Sequence, residues 1–165
     1  MFQRRYIILV PIALLILGAV FYFVFSGDRH SIGKSGTVLE LRDSGSARIF
    51  GARPLDETGE FSIEFIHSVN MSPVRETFII DGRMIRPLSV RFSSFGAGMQ
   101  SDLEPGQKLG RDGDFMVITG FSSSFRELNY IVGTVSDHLL YINGETISLR
   151  ELCGRNAHVT IRLRK

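Results

Sequence analysis

FSIEFIHSVNMSPVRETFII, residues 61–80, is the stretch that determines which fold this chain can adopt. Its apolar residues recur at every second position in two runs: Phe61, Ile63, Phe65 and Val74, Phe78, Ile80. Alternation of this kind is typical of strands that bury one face. Two such runs joined by a short polar segment predict an antiparallel hairpin.

Two polar residues, His67 and Glu76, occupy positions in these rows where apolar residues are expected. Burying a polar group without a partner costs about 2 kcal/mol or more. If the strands pair so that Phe65 faces Phe78, residues of like character face each other throughout the row and His67 faces Glu76. This register predicts that the imidazole and the carboxylate are cross-strand neighbours, with Cβ atoms about 5 Å apart.

The predicted His67–Glu76 pair has three interpretations. It is a structural pair whose two side chains hydrogen-bond each other and fix the register, a contact for a ligand, or a catalytic pair. The carboxylate would raise the pKa of His67 and the imidazole would lower that of Glu76, while burial would act against both charges. Ser68 follows directly, but neighbours in a strand point to opposite faces. Ser68 and His67 are therefore poorly placed as nucleophile and base, and we predict no catalytic residue and no enzyme.

Period-two patterns continue through most of the chain, and helical patterns are scarce. Asp81-Gly82 and Asn143-Gly144 are strong signals for two-residue hairpin turns. Pro87 interrupts a strand pattern and predicts an edge position or a bulge. Ser148 and Glu151 fit a capping box for one short helix ending at Gly154. Eight to ten short strands predict an all-β fold, an antiparallel β-sandwich or partly open barrel. The expected strands include 37–42, 47–50, 61–67, 74–80, 83–92 and 158–164. Residues 125–132 fit either a strand or a short helix, of which we favour the strand.

The first quarter of the chain predicts a membrane anchor. Residues 6–25 carry no charge, and 20 residues of helix suffice to cross the bilayer core. Aromatic residues stand where a cleaved signal peptide would have small ones, which favours an uncleaved anchor. We expect an N-terminal transmembrane helix and signal anchor in residues 1–25, a polar tether in 26–36 and a β domain in 37–165. Arg4 and Arg5 before the span favour a cytoplasmic N-terminus and a β domain outside the bacterial cytoplasmic membrane.

Charge argues against one class of partner. The chain has 19 Lys and Arg residues and 17 Asp and Glu residues. Arg4 and Arg5 are the only charged residues before position 26, so the remainder of the chain has 17 basic and 17 acidic residues. This formally neutral remainder lacks the concentrated positive charge that nucleic-acid binding needs. Cys153 is the sole cysteine, so no intrachain disulfide can form.

Cofactor motifs are weak. Gly96 and Gly98 form a Gly-x-Gly without the third small residue and the following helix of a dinucleotide site. Their exposed amides are candidates for a small anion nest. The four histidines are dispersed, so we expect no metal and no cofactor.

Three elements, Phe65-Ile66-His67-Ser68-Val69, Pro73-Val74-x-Glu76 and Phe95-Gly96-Ala97-Gly98, resemble a bacterial family of small membrane-anchored proteins. It is domain-of-unknown-function family 1850, whose members are often encoded beside TAXI-type TRAP transporters. The resemblance implies importance for His67, Ser68, Glu76, Gly96 and Gly98 without assigning them roles. Met99-Gln100-Ser101 departs from the Leu-Pro-like step that family members tend to have.

These observations predict an envelope accessory or interaction protein, and the family resemblance implies TRAP transporter subunits as its partners. The alternative is a β domain that binds a small ligand, of unknown identity, through His67 and Glu76. An enzyme is the third and weakest interpretation.

Overall fold

The structure is a computed structural model that describes residues 36–69, 71–93 and 103–164. The predicted anchor in residues 1–25 and all of the predicted tether except Gly36 lie outside the described residues. Within the described ranges, no helix has the length and apolar character needed to cross a bilayer.

The described residues form eleven strands and one short helix, so the prediction of an all-β fold is confirmed. The helix, α1, spans Leu149–Cys153. The strands are β1 (Val38–Asp43), β2 (Ile49–Pro54), β3 (Glu60–His67), β4 (Ser72–Asp81), β5 (Met84–Phe92), β6 (Lys108–Asp112), β7 (Phe115–Thr119), β8 (Glu127–Ile131), β9 (His138–Ile142), β10 (Glu145–Ser148) and β11 (His158–Leu163).

The strands build two antiparallel sheets. The four-stranded sheet has the order β2-β1-β11-β8, and the seven-stranded sheet has the order β10-β9-β3-β4-β5-β7-β6. Both sheets contribute to one buried apolar cluster, whose members include Leu39 and Ile161 from the first sheet and Ile63 and Leu140 from the second. The two inner faces therefore pack against each other, as in a β-sandwich.

The Asn143-Gly144 turn and the cap signals are confirmed, and the Asp81-Gly82 signal locates its turn to within one residue. Asn143 and Gly144 join β9 to β10 with φ values of 52° and 78°, the left-handed conformation that a type I′ turn requires. The β4–β5 hairpin turns at Gly82-Arg83, one residue later than predicted, because Asp81 still pairs with Met84.

Pro87 lies beside a bulge between β4 and β5, as predicted. At the start of α1, the Ser148 hydroxyl accepts a hydrogen bond from the backbone N–H of Glu151 at 3.0 Å. The Gly154 cap, with φ of 100°, follows the last helical residue.

The predicted register of the β3–β4 hairpin is wrong. Phe61 faces Phe78, Ile63 faces Glu76 and His67 faces Ser72. Glu76 is opposite Ile63, and His67 lies four residues further along β3. At strand spacing, four residues correspond to about 13 Å between His67 and the position opposite Glu76. The predicted and observed registers differ by four residues, and an even shift leaves every side chain on its original face. Alternation alone therefore could not distinguish them, and the observed turn closes directly after His67.

Disulfide trapping distinguishes the two registers. In a Cys153→Ser background, His67→Cys with Ser72→Cys should form a disulfide under mild oxidation, because opposed strand residues have Cα atoms within bonding range. The matched pair, His67→Cys with Glu76→Cys, should remain reduced. Mass spectrometry under non-reducing conditions detects the disulfide in each double variant. A disulfide in the His67→Cys, Glu76→Cys variant alone would support the predicted register instead of the observed one.

Candidate functional site

Glu76 places a carboxyl group on the apolar inner face of the seven-stranded sheet. Its strand neighbours on that face, Val74 and Phe78, are buried. Across the strands, Glu76 faces Ile63 on β3 and Val90 on β5. No neighbouring strand position offers a polar partner, so the carboxyl group needs one from elsewhere.

The partner comes from the opposite sheet. Tyr130 lies on β8, the edge strand of the four-stranded sheet, and its hydroxyl donates a hydrogen bond to Oε2 of Glu76 at 2.6 Å. No described residue donates to the other carboxyl oxygen. The Glu76–Tyr130 pair is therefore a polar connection between two largely apolar sheet faces.

The segment before β8 explains how Tyr130 reaches Glu76. Phe125 and Ile85 exchange two backbone hydrogen bonds, of 2.7 and 2.8 Å, so the chain is tied to β5 of one sheet just before β8 joins the other. From there Leu128 and Tyr130 alternate with exposed Asn129. This alternation turns the tyrosine ring toward the interior.

Burial controls the protonation of the pair. It raises the pKa of Glu76 above the ordinary value, and the hydrogen bond from Tyr130 only partly offsets that rise. The pKa of Tyr130 is raised by burial and by the negative charge of Glu76. The phenol therefore remains a hydrogen-bond donor, while the carboxyl group takes up a proton at higher pH than an exposed glutamate.

His138 supports the tyrosine ring. Its imidazole stacks on Phe65 with centroids 5.2 Å apart and meets the ring of Tyr130 edge-on at 6.0 Å. The backbone N–H of Gly133 donates to Nδ1 at 3.3 Å, which assigns the proton of the neutral ring to Nε2. Burial lowers the pKa of His138, although Asp137 opposes that shift, so the ring favours its neutral form.

A cavity of about 410 Å³ lies beside the Glu76–Tyr130 pair, between β4 and β5 on one side and β8 on the other. We call it the inter-sheet cavity. Phe78, Val90 and Leu128 contribute apolar walls, and Glu104 and Gln107 contribute polar groups. Its volume lies within the roughly 300–1,000 Å³ typical of small-molecule sites. No lysine, arginine or histidine among the described residues lines it.

A glycine contact joins two loops that contribute to this cavity. A Cβ atom at Gly120 would clash with the carbonyl oxygen of Gly106, and Gly120 has a φ of 82°. Only glycine accommodates both the close approach and this conformation. The contact fixes the spacing between the loop that carries Glu104 and Gln107 and the one that carries Phe121.

His67 and Ser68, two other predicted site residues, do not line this cavity. His67 is half-buried at the end of β3, where its Nδ1 accepts a hydrogen bond from Val69 N–H at 3.4 Å. Ser68 is exposed in the turn. Gly96 and Gly98 lie outside the described residues. The structure thus separates Glu76 from His67 and pairs it with Tyr130.

Tyr130 was not predicted as a site residue, although its sequence carried a signal. It stands in an alternating row with Leu128 and Val132. A buried tyrosine usually needs a partner for its hydroxyl, so such a row predicts a polar contact without identifying it. Within the part of the chain that the structure describes, no three His, Cys, Asp or Glu side chains form a potential metal site.

The raised pKa of Glu76 predicts a pH dependence of folding. Folding favours the protonated carboxyl group, so this stabilisation is full below the unfolded pKa of about 4.5 and is lost as pH rises through the folded pKa. We compare the free energy of unfolding of the wild-type chain with that of Glu76→Gln, which cannot ionise. The difference, wild type minus variant, should therefore decline as pH rises from the unfolded pKa through the folded pKa of Glu76. The decline should be about 1.4 kcal/mol for each unit by which folding raises the pKa.

Urea denaturation of the full-length chain from pH 4 to 8 measures this difference. Glu64→Gln is the matched control, because Glu64 pairs with Arg75 at 2.8 Å on the outer face of the same sheet. A flat difference for Glu76→Gln, or one that rises with pH, would contradict the assignment.

Comparison with known proteins identifies the family of the chain. No curated protein and no solved structure shows significant similarity to it. The family model described as "Domain of unknown function (DUF1850)" matches residues 61–149. The match covers more than half of the chain and includes Glu76, Tyr130 and His138. The chain therefore belongs to the DUF1850 family.

Proposed function

We propose that this protein is a small-ligand-binding β domain, held outside the bacterial cytoplasmic membrane by an N-terminal anchor. The observation that carries the proposal is the Glu76–Tyr130 pair, a carboxyl and a phenol group that line a cavity of about 410 Å³ between two apolar sheet faces. Apolar walls with a few convergent polar groups are characteristic of small-molecule sites.

Charge restricts the class of ligand. The inter-sheet cavity has the carboxyl groups of Glu76 and Glu104 and no basic side chain among its described lining residues. An anionic ligand would meet repulsion without compensation. We therefore infer a neutral or cationic molecule, with an apolar body against Phe78 and Val90 and a hydrogen-bonding group toward Glu76.

The protonation state of Tyr130 favours recognition over catalysis. Its raised pKa keeps the phenol protonated, so the hydroxyl acts as a donor and not as a general base. Glu76 accepts that hydrogen bond with one oxygen and presents the other to a ligand.

Two small probes with the same aromatic body and opposite charge test this proposal. 2-Phenylethylamine should raise the melting temperature of the full-length chain, while 3-phenylpropionate at equal ionic strength should not. Glu76→Gln should reduce the amine affinity about tenfold, the effect of one lost hydrogen bond to a charged group. Tyr130→Phe should also reduce it, because Tyr130 holds the carboxyl group of Glu76 in place through its hydroxyl.

Tyr141→Phe is the matched control, because its hydroxyl makes a similar contact with Glu64, at 3.3 Å, on the outer face. It should retain the wild-type response to the amine. Equal stabilisation by both probes, or an amine response unchanged in Tyr130→Phe and Glu76→Gln, would refute the proposed site. The absence of any response to the amine would also refute it.

A second candidate function is that of an accessory subunit for a TRAP-type transporter. The specific observation is a pair of exposed apolar side chains between the end of β3 and the start of β4, where Val69 is 61% and Met71 is 66% exposed. Exposed apolar side chains of this kind favour contact with a partner protein. The resemblance to proteins encoded beside TAXI-type TRAP transporters suggests which partner to test.

Affinity purification of the tagged full-length chain from native membranes tests the accessory role. Wild type should recover transporter subunits, and Val69→Asp with Met71→Asp should lose them. Val135→Asp is the control, because Val135 is 84% exposed in a different loop. Recovery of the wild-type chain without transporter subunits would exclude stable association.

A further inference from the structure

A second cavity, of about 600 Å³, lies where the ends of several strands meet. Its lining comes from Gly36-Thr37 before β1, the β4–β5 turn, the start of β8 and the end of β11. Four of the lining side chains are arginines, and we call it the arginine cavity. They are Arg83, Arg126, Arg162 and Arg164.

Two of these arginines pair with a buried carboxylate. Glu40 is only 4% exposed, and its Oε1 lies 2.9 Å from Nη2 of Arg162. Its Oε2 lies 3.7 Å from Nε of Arg164. Glu40 therefore positions the guanidinium group of Arg162 through hydrogen bonds and attracts that of Arg164 as a longer ion pair.

The other two arginines have no ion-pair partner among the described residues. Arg83 lies in the β4–β5 turn and Arg126 immediately precedes β8, and both are exposed. Glu127 is the only acidic residue of the described lining. Counting Glu40 as well, the site retains two more positive than negative charges.

We propose that the arginine cavity binds a phosphate group. Guanidinium groups present paired N–H donors that match phosphate oxygens, which is why arginine predominates in phosphate recognition. Two unpartnered guanidinium groups beside two that pair with Glu40 supply donors from several directions. A bound phosphate also removes the repulsion between like charges that converge on one cavity.

This site is distinct in chemistry from the inter-sheet cavity. The inter-sheet cavity is lined by carboxyl groups without arginine, whereas the arginine cavity has excess positive charge. The two should therefore bind different ligands.

Two sources can provide the phosphate group. One is a soluble phosphate compound, and the other is the headgroup of an anionic phospholipid. The sequence makes the second source relevant, because only ten residues separate the predicted anchor from Gly36 of the cavity lining. Both sources would use the same guanidinium contacts, so the experiment must separate them.

Thermal unfolding of the full-length chain tests the proposal in two arms. In the first, the detergent-solubilised chain is melted in inorganic phosphate and in chloride at matched ionic strength. In the second, the chain is melted in phosphatidylcholine nanodiscs with and without phosphatidylglycerol. The test variant is Arg83→Gln with Arg126→Gln, which leaves the contacts of Glu40 intact.

The control variant is Arg111→Gln with Arg155→Gln, which removes the same charge at two exposed positions outside the cavity lining. Arg83→Lys with Arg126→Lys retains the charge and loses the paired donors. We expect an increase in melting temperature in at least one arm for wild type and control. The Gln variant should lose it, with affinity reduced about tenfold or more per arginine, and the Lys variant should be intermediate.

The arm that responds identifies the source. A response to inorganic phosphate alone assigns the site to a soluble compound, and a response to phosphatidylglycerol alone assigns it to a lipid headgroup. A response in both arms assigns it to the phosphate group that the two sources share. No response in either arm would overturn the proposal. Equal responses in the Gln variant and its control would also overturn it.

Discussion

The carboxyl group of Glu76 is the constraint that organises the interior of this domain. It lies on a sheet face between buried Val74 and Phe78, where an unpartnered polar group would cost about 1–3 kcal/mol. The hydroxyl of Tyr130 meets this requirement from the opposite sheet at 2.6 Å. The contact requires β8 to stand over β4 and β5, and the inter-sheet cavity lies beside it.

Strand β8 connects the structural and functional features of the molecule. Its first residue, Glu127, lines the arginine cavity, and the following Leu128 and Tyr130 line the inter-sheet cavity. It is an edge strand, and two described contacts link it to the other sheet: the preceding Phe125–Ile85 backbone bridge and the Tyr130–Glu76 hydrogen bond. A ligand in either cavity would therefore contact the strand that carries the inter-sheet hydrogen bond.

Local chemistry in the sequence predicted most of the elements, although not β6 and β7, and predicted their tertiary partners poorly. The Asn143-Gly144 turn and the Ser148 cap follow from interactions within a few residues, and both were predicted. The register of β3 and β4 was mispredicted because an even shift preserves the buried face of each strand. The partner of Glu76 lies 54 residues away and in the other sheet, where alternation carries no information about pairing.

A double-mutant cycle on the two sheets tests the central claim most directly. Tyr130→Phe should lower the free energy of unfolding by about 1–3 kcal/mol in the wild-type chain, because it leaves a partly buried carboxyl group without its donor. In a Glu76→Leu background the same change should cost almost nothing, so the two effects should be strongly coupled. Additive effects, with Tyr130→Phe equally costly in both backgrounds, would contradict a hydrogen bond between Glu76 and Tyr130.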